Sequence, residues 1–178
     1  MRTMVLVCAV LTLAPLAGRG LEACGDKFLL LSRGTRFERP AMRRMPATVV
    51  AYARAGSGLP AALADLPVRD TLVRAGYTFT VVTTAAELEA TLAGGAVDLV
   101  MVDVVDAPGV SQQLTAPRAP GVLPVVFGRT TDEVKEVLKG FTCAVKSPRR
   151  NQSFLDAVDE ALDIRRRASA TSTAATTR

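Results

Sequence analysis

From residue 46 onward, short apolar runs alternate along the chain with amphipathic stretches that carry helix start and stop signals. This alternation predicts an α/β domain in which helices cover both faces of a parallel sheet. The runs are continuously apolar, which is typical of strands buried on both faces. The predicted strands are ATVVAYA (47–53), YTFTVV (77–82), VDLVMV (97–102), VLPVVF (122–127) and FTCAVK (141–146). Five strands in this arrangement predict a doubly wound sheet of order 2-1-3-4-5.

Helix-capping patterns lie between the apolar runs. Thr84 with Glu87, and Thr130 with Glu133, have the spacing of a capping box, in which each side chain binds the backbone N–H of the other residue. The predicted helices run from Pro67 to Gly76, from Thr84 to the Gly94-Gly95 pair, from Thr130 to Gly140, and onward from Ser147-Pro148. Residues 106–118 predict a loop or a short, distorted helix, and residues 55–66 have no clear assignment because glycine and proline oppose a long helix there.

The beginning of the chain has the layout of a secretory signal peptide. One Arg precedes an apolar run from Met4 to Ala17, near the ~7–15 residues typical of such a signal and below the ~20 that span a bilayer. We predict a signal peptide at residues 1–23, a basic N-terminal linker at 24–45, the domain at 46–167 and a disordered tail at 168–178, which is rich in Thr and Ala. If translation starts instead at Met42 or Met45, the protein would be cytoplasmic.

The segment Leu21-Glu22-Ala23-Cys24 resembles the lipobox of bacterial lipoproteins, whose cysteine becomes the lipidated N-terminus. Cys24 is therefore the candidate lipidation residue, and we expect the protein to be extracytoplasmic, either periplasmic or a membrane-anchored lipoprotein. Glu22 and the upstream Arg19 depart from the lipobox pattern, so cleavage without lipidation is the competing hypothesis. Without lipidation, Cys24 and Cys143 would pair only if the linker folds back on the domain; with it, Cys143 is a lone buried thiol.

Charge and composition narrow the possible functions. The formal net charge is +5, with Lys and Arg clustered between Lys27 and Arg44 and again at residues 165–167. No aromatic residues alternate with these cations in the way that base stacking requires, so no nucleic-acid partner is expected. The sequence contains no histidine, which excludes a Ser-His-Asp triad, and no glycine-rich phosphate loop. Ser57 in the Gly56-Ser57-Gly58 loop is the weak basis for a ligand-binding or hydrolase hypothesis.

Three segments resemble the receiver domain of bacterial response regulators. VRDTLVRAGYTFTVVTTAAELEATLAGGAVDLVMVDV (68–104) resembles the family's first helix through third strand, including the aspartate that ends the strand. VLPVVF resembles the fourth strand, and FTCAVKSP resembles the fifth, which ends in a lysine. The resemblance covers roughly 120 residues, which is the whole of the predicted domain at 46–167. It implies a flavodoxin-like fold with its site at the carboxyl ends of the strands.

By this resemblance, Asp103 stands where the family has its phospho-accepting aspartate, and Lys146 where it has the lysine that contacts the phosphoryl group. The family binds Mg²⁺ through two acidic residues at the end of the first strand, because a dication must bring the anionic donor and the carboxylate together. The corresponding residues 50–54 contain no acid and end in Arg54. We therefore predict no metal site, and we expect Asp103 to be retained in an ion pair with Lys146, with Arg54 or Arg129 as further candidate partners.

The switch position of the family also differs. The hydroxyl residue that couples phosphorylation to a shape change aligns with Arg129, although Thr130 follows it directly. These departures predict a non-enzymatic pseudo-receiver that needs no cofactor, binds an unidentified protein partner, and touches a membrane only through a lipid on Cys24. The alternative is a genuine response regulator of a two-component phosphorelay, phosphorylated on Asp103. The sequence predicts neither the partner nor the oligomeric state.

Overall fold

The structure is a computed structural model that describes residues 45–116, 119–130, 132–146 and 148–176, with side chains described up to Ala170. The predicted signal peptide, the candidate lipidation residue Cys24 and almost all of the basic linker lie outside the described residues, as does Met42. None of the helices within the described ranges is long and apolar enough to cross a membrane.

Five parallel strands form one sheet. They are β1 (Thr48–Tyr52), β2 (Thr78–Val82), β3 (Leu99–Asp103), β4 (Gly121–Val126) and β5 (Val145–Lys146). Their order is β2-β1-β3-β4-β5, which confirms the predicted doubly wound, flavodoxin-like α/β arrangement. The chain builds outward in opposite directions from β1 and β3, so these two strands define the switch point at which such folds place their sites.

Six helices connect and cover the described strands. They are α1 (Leu59–Asp65), α2 (Val68–Arg74), α3 (Ala85–Gly94), α4 (Ala107–Gln113), α5 (Lys135–Leu138) and α6 (Asn151–Thr176). The capping box predicted for α3 is formed, since the Glu87 N–H donates to Thr84 Oγ1 at 3.2 Å and the Thr84 N–H donates to Glu87 Oε2 at 3.3 Å. Backbone N–H donors of Thr83 and Thr84 hold the pKa of Glu87 below its usual value.

Several element boundaries differ from the predictions. Residues 59–65 form α1, because Pro60 lies in the first turn, where a missing N–H costs nothing. β5 contains only Val145 and Lys146, because these residues alone pair with β4. α5 is a single turn, although the predicted contact from the Thr130 N–H to Glu133 Oε2 forms at 2.7 Å. The predicted disordered tail is helical up to Thr176, since alanine supports continuation of a helix that packing has already started.

The two faces of the sheet bury separate sets of side chains. Alternate residues of β1 divide between them: Val49 and Ala51 pack with α1, α2 and α6, whereas Val50 and Tyr52 pack with α3 and α4. Phe154 of α6 is fully buried on the first face. The short α5 covers a third cluster with the ends of β3 and β4. Because helices cover both faces, the loops at the carboxyl ends of the strands form the natural position for a site.

Candidate functional site

The sequence-predicted site residues meet at the carboxyl edge of the sheet. Arg54 follows β1, Asp103 ends β3, Arg129 and Thr130 follow β4, and Lys146 ends β5. Parallel strands present their carboxyl ends at one edge, so the fold brings these residues to the same side of the domain. The structure therefore places them where the resemblance implied, and their individual contacts decide what they can do.

Asp103 is 1% exposed and is the one buried charged residue in the described part of the chain. Its Oδ1 accepts a hydrogen bond from the Val105 N–H at 2.9 Å, and its Oδ2 accepts one from the Gly58 N–H at 2.6 Å. The bond to Val105, two residues ahead, closes a local turn that the side chains of Asp and Asn commonly form. Both carboxyl oxygens are thus engaged by backbone donors, one local and one from the distant β1–α1 loop.

The β1–α1 loop lies directly against Asp103. A Cβ atom at Gly58 would stand 2.7 Å from the Phe127 carbonyl oxygen and 3.0 Å from Asp103 Oδ2. Ser57 stabilises the same loop, since its Oγ donates to the Arg54 carbonyl at 2.8 Å. The loop therefore crosses the strand ends between β3 and β4 at a separation that only glycine permits. The glycines of this loop were predicted only to oppose a long helix, and the close approach of Gly58 to Phe127 and Asp103 was not predicted from the sequence.

Arg54 makes its ion pair with Asp106. Its Nη2 lies 2.7 Å from Asp106 Oδ1, and its Nε lies 3.0 Å and 3.1 Å from the two carboxylate oxygens. The hydrogen bond to Asp106 and the charge of that carboxylate raise the pKa of Arg54. Asp106 was not among the residues predicted from the sequence, although it stands only three positions after Asp103.

The expected ion pairs of Asp103 with Lys146, Arg54 and Arg129 do not form among the described residues. Asp103 is 1% exposed, and backbone N–H groups already donate to both of its oxygens, so this buried carboxylate is hydrogen-bonded without a cationic partner. Arg54 instead binds the more accessible carboxylate of Asp106.

The other candidate residues are less closely engaged with Asp103. Lys146 is half-buried in β5, and no ion pair or hydrogen bond of its ammonium group occurs within the described ranges. Arg129 and Thr130 are exposed. The Thr130 hydroxyl accepts from the Glu133 N–H at 3.4 Å, so it takes part in the turn that precedes α5.

Two further features bear on the chemistry. Within the described ranges, no group of three or more His, Cys, Asp or Glu side chains is arranged to hold a metal ion. Cys143 is buried and disulfide-bonded, so it is not a lone thiol. Its partner cysteine lies outside the described residues, so the predicted pairing with Cys24 stays a prediction.

An open depression of about 360 Å³ lies elsewhere, between α2 and α6. Its lining residues are Thr71, Arg74, Ala75, Asn151 and Leu155. Asn151 Nδ2 donates to Thr71 Oγ1 at 2.6 Å across its floor, which joins the two helices. None of the residues at the carboxyl edge lines this depression.

Comparison of the chain with protein-family models, with curated proteins and with solved structures found no match. The doubly wound sheet and the burial of Asp103 at its switch point are therefore observations from the structure alone.

Proposed function

We propose that this chain is an exported, non-enzymatic pseudo-receiver that acts as a protein-interaction or signalling module. One observation carries the proposal: Asp103 is 1% exposed, and both of its oxygens accept backbone hydrogen bonds. Phosphoryl transfer requires a carboxylate oxygen to reach the phosphorus of the donor in line with the leaving group. The Gly58 loop stands against Oδ2, so Asp103 serves as an anchor for two backbone segments.

The charges at the same edge support this proposal. Transfer of a phosphoryl group to a carboxylate joins two anions, which a bound dication normally makes possible. The end of β1 supplies the guanidinium of Arg54, and this cation is held by Asp106 in a two-pronged contact. A dication that used Asp106 as a ligand would therefore have to break this pair and overcome repulsion from Arg54.

A small phosphodonor with Mg²⁺ tests the proposal directly. We expect the intact mass of the purified chain to stay unchanged after incubation, because the donor does not reach Asp103. The matched control is Asp103→Asn, which removes the acceptor. Addition of one phosphoryl group to the wild-type chain, lost in Asp103→Asn, would contradict the pseudo-receiver and favour the phosphorelay alternative, in which Asp103 is phosphorylated.

Export, the second part of the proposal, rests on the predicted signal peptide and has its own test. We expect the intact mass of the protein from its native cells to correspond to a chain cleaved within residues 17–24. A lipid-sized addition to a chain that begins at Cys24, found in the membrane fraction, would establish the anchor. A mature chain that begins at Met42 or Met45 would contradict export, whatever the chemistry of Asp103.

A further inference from the structure

β2 forms one edge of the sheet and pairs with β1 on one side. The Thr78 N–H donates to the Ala47 carbonyl at 2.9 Å, and the Val82 carbonyl accepts from the Ala53 N–H at 2.8 Å. Along a strand of a parallel sheet, every second residue points both its N–H and its C=O toward the strand on one side, and the residues between point theirs toward the other side. Thr78, Thr80 and Val82 therefore bond to β1. The N–H and C=O groups of Phe79 and Val81 point away from the sheet.

This edge lacks the features by which proteins usually protect such strands. Exposed edges typically carry charged residues, prolines or bulges that prevent pairing with another chain. The segment AGYTFTVVTTAA (75–86) contains neither a charge nor a proline. Its core is built from threonine, phenylalanine and valine, which favour strands most strongly. Val81 is 39% exposed, so within the described ranges the edge offers both unpaired backbone groups and an apolar side chain.

We propose that a second copy of this chain pairs with β2 in the antiparallel direction, which joins two five-stranded sheets into one. A two-fold axis at Thr80 places Phe79 of one copy opposite Val81 of the other, and these are the residues whose backbone groups point outward. Thr80 then faces Thr80 of the copy. Aromatic pairs with β-branched residues and Thr pairs with Thr are favourable across antiparallel strands. The strand is thus complementary to itself, as a closed two-fold interface requires.

The helix beside β2 suits the same arrangement. Phe79 and Val81 lie on one face of the strand, and Phe79 packs in the same cluster as Val68 and Leu72 of α2. The two-fold axis brings Val81 of each copy to the amino-terminal half of the partner's β2, where α2 ends. Val73, which is 51% exposed, stands in that last turn of α2. The exposed charged residues of α2 are Arg69, Asp70 and Arg74. Because they include both signs, the α2 helices of two copies do not present surfaces of purely like charge.

The size of the contact sets the expected affinity. Specific, stable interfaces bury about 1,200 Å² or more in total. Two five-residue strands with the adjoining ends of α2 form a small contact by this standard, so we expect a weak dimer with a dissociation constant on the order of micromolar. The edge is separated from Asp103 by β1, so the dimer does not depend on whether Asp103 accepts a phosphoryl group.

Sedimentation equilibrium of the full chain across the micromolar range tests the dimer. We expect wild type to dimerise, and we expect Val81→Lys to raise the dissociation constant at least about tenfold, because a charge on an edge strand opposes pairing. The matched control is Val105→Lys, which makes the same change at an exposed valine beyond β3. Val81→Pro is a second variant, since it removes an outward N–H that β1 does not use. Circular dichroism would establish that each variant is folded.

Hydrogen exchange identifies what lies on the edge. Protection of the Phe79 and Val81 amides that rises with protein concentration would support pairing with a second copy. Protection at every concentration would place a segment of the same chain on β2 and would overturn the proposal. So would a wild-type chain that stays monomeric across the range, a dimer equally weakened by Val105→Lys, or large aggregates without a dimer.

Discussion

Replacement of Asp103 by alanine is expected to lower the free energy of unfolding by roughly 2–4 kcal/mol, because two part-buried hydrogen bonds lose their acceptor, each toward the lower end of about 1–3 kcal/mol. The donors belong to Gly58 and Val105, and they lie 2.6 Å and 2.9 Å from the carboxyl oxygens. A phosphoacceptor crowded by other acids would behave in the opposite way, since removal of one charge relieves repulsion. Urea unfolding of the wild type and the variant would measure the difference.

Two further variants separate the anchor from its surroundings. Asp103→Asn keeps the shape and one acceptor oxygen, so we expect it to cost about 1–3 kcal/mol, less than Asp103→Ala. Asp106→Ala removes the partner of Arg54, whose side chain is 44% exposed, and we expect a much smaller loss because exposed ion pairs contribute little. An Asp103→Ala variant as stable as wild type would contradict the structural role of this carboxyl group.

A second aspartate, at the amino-terminal end of β3, has a related role. Asp98 immediately precedes the strand, and its Oδ2 accepts from the Thr48 N–H at 2.9 Å, at the start of β1. Its Oδ1 pairs with Arg165 of α6 at 3.0 Å. Aspartates at the two ends of β3 therefore accept backbone donors from the first residue of β1 and from the loop that follows β1. This shared use supports the view that Asp103 holds the sheet together at its switch point.

The fold was predictable because its signals are local and repeated. Mainly apolar runs marked β1, β3 and β4, and the run YTFTVV, in which threonine alternates with apolar residues, marked β2. The Thr84 capping box marked the start of α3, where the structure contains it. Predictions failed where a boundary depends on distant partners. β5 is shorter than its apolar run because β4 pairs with only two of its residues. The tail after Arg167 was predicted to be disordered from its composition, but α6 continues through it to Thr176. A helix already stabilised by packing extends readily into a segment that contains alanine.

The site was predictable in its position and not in its contacts. Asp103, Lys146 and Arg54 occupy the expected edge because the strand order follows from the pattern. The ion pairs expected for Asp103 were wrong, because its partner is an N–H group 45 residues away in sequence. Every residue except proline has a backbone N–H, so a sequence motif does not indicate which of these groups will donate to Asp103. The available signal was Gly58 at the end of the β1–α1 loop, together with Asp106 as a second acid near Asp103.

Gly58→Ala is expected to lower the free energy of unfolding by about 1–3 kcal/mol, because the added methyl group overpacks the loop. A Cβ atom there would lie 2.7 Å from the Phe127 carbonyl oxygen and 3.0 Å from Asp103 Oδ2. The φ of Gly58 is −78°, which any residue adopts, so the cost is steric rather than conformational. Urea unfolding would measure it.

The matched control for this substitution is Gly109→Ala in α4, where a Cβ atom would meet nothing within 4 Å. We expect that variant to be neutral or slightly stabilised, because alanine favours a helix over glycine. Equal losses in the two variants would contradict a close approach at Gly58. Because the Phe127 oxygen makes the shorter contact, the Gly58→Ala penalty should persist in an Asp103→Ala background. If the Gly58→Ala penalty disappeared in the Asp103→Ala background, the steric clash would be with the carboxyl group. Asp103 would then be the principal constraint on the loop that covers it.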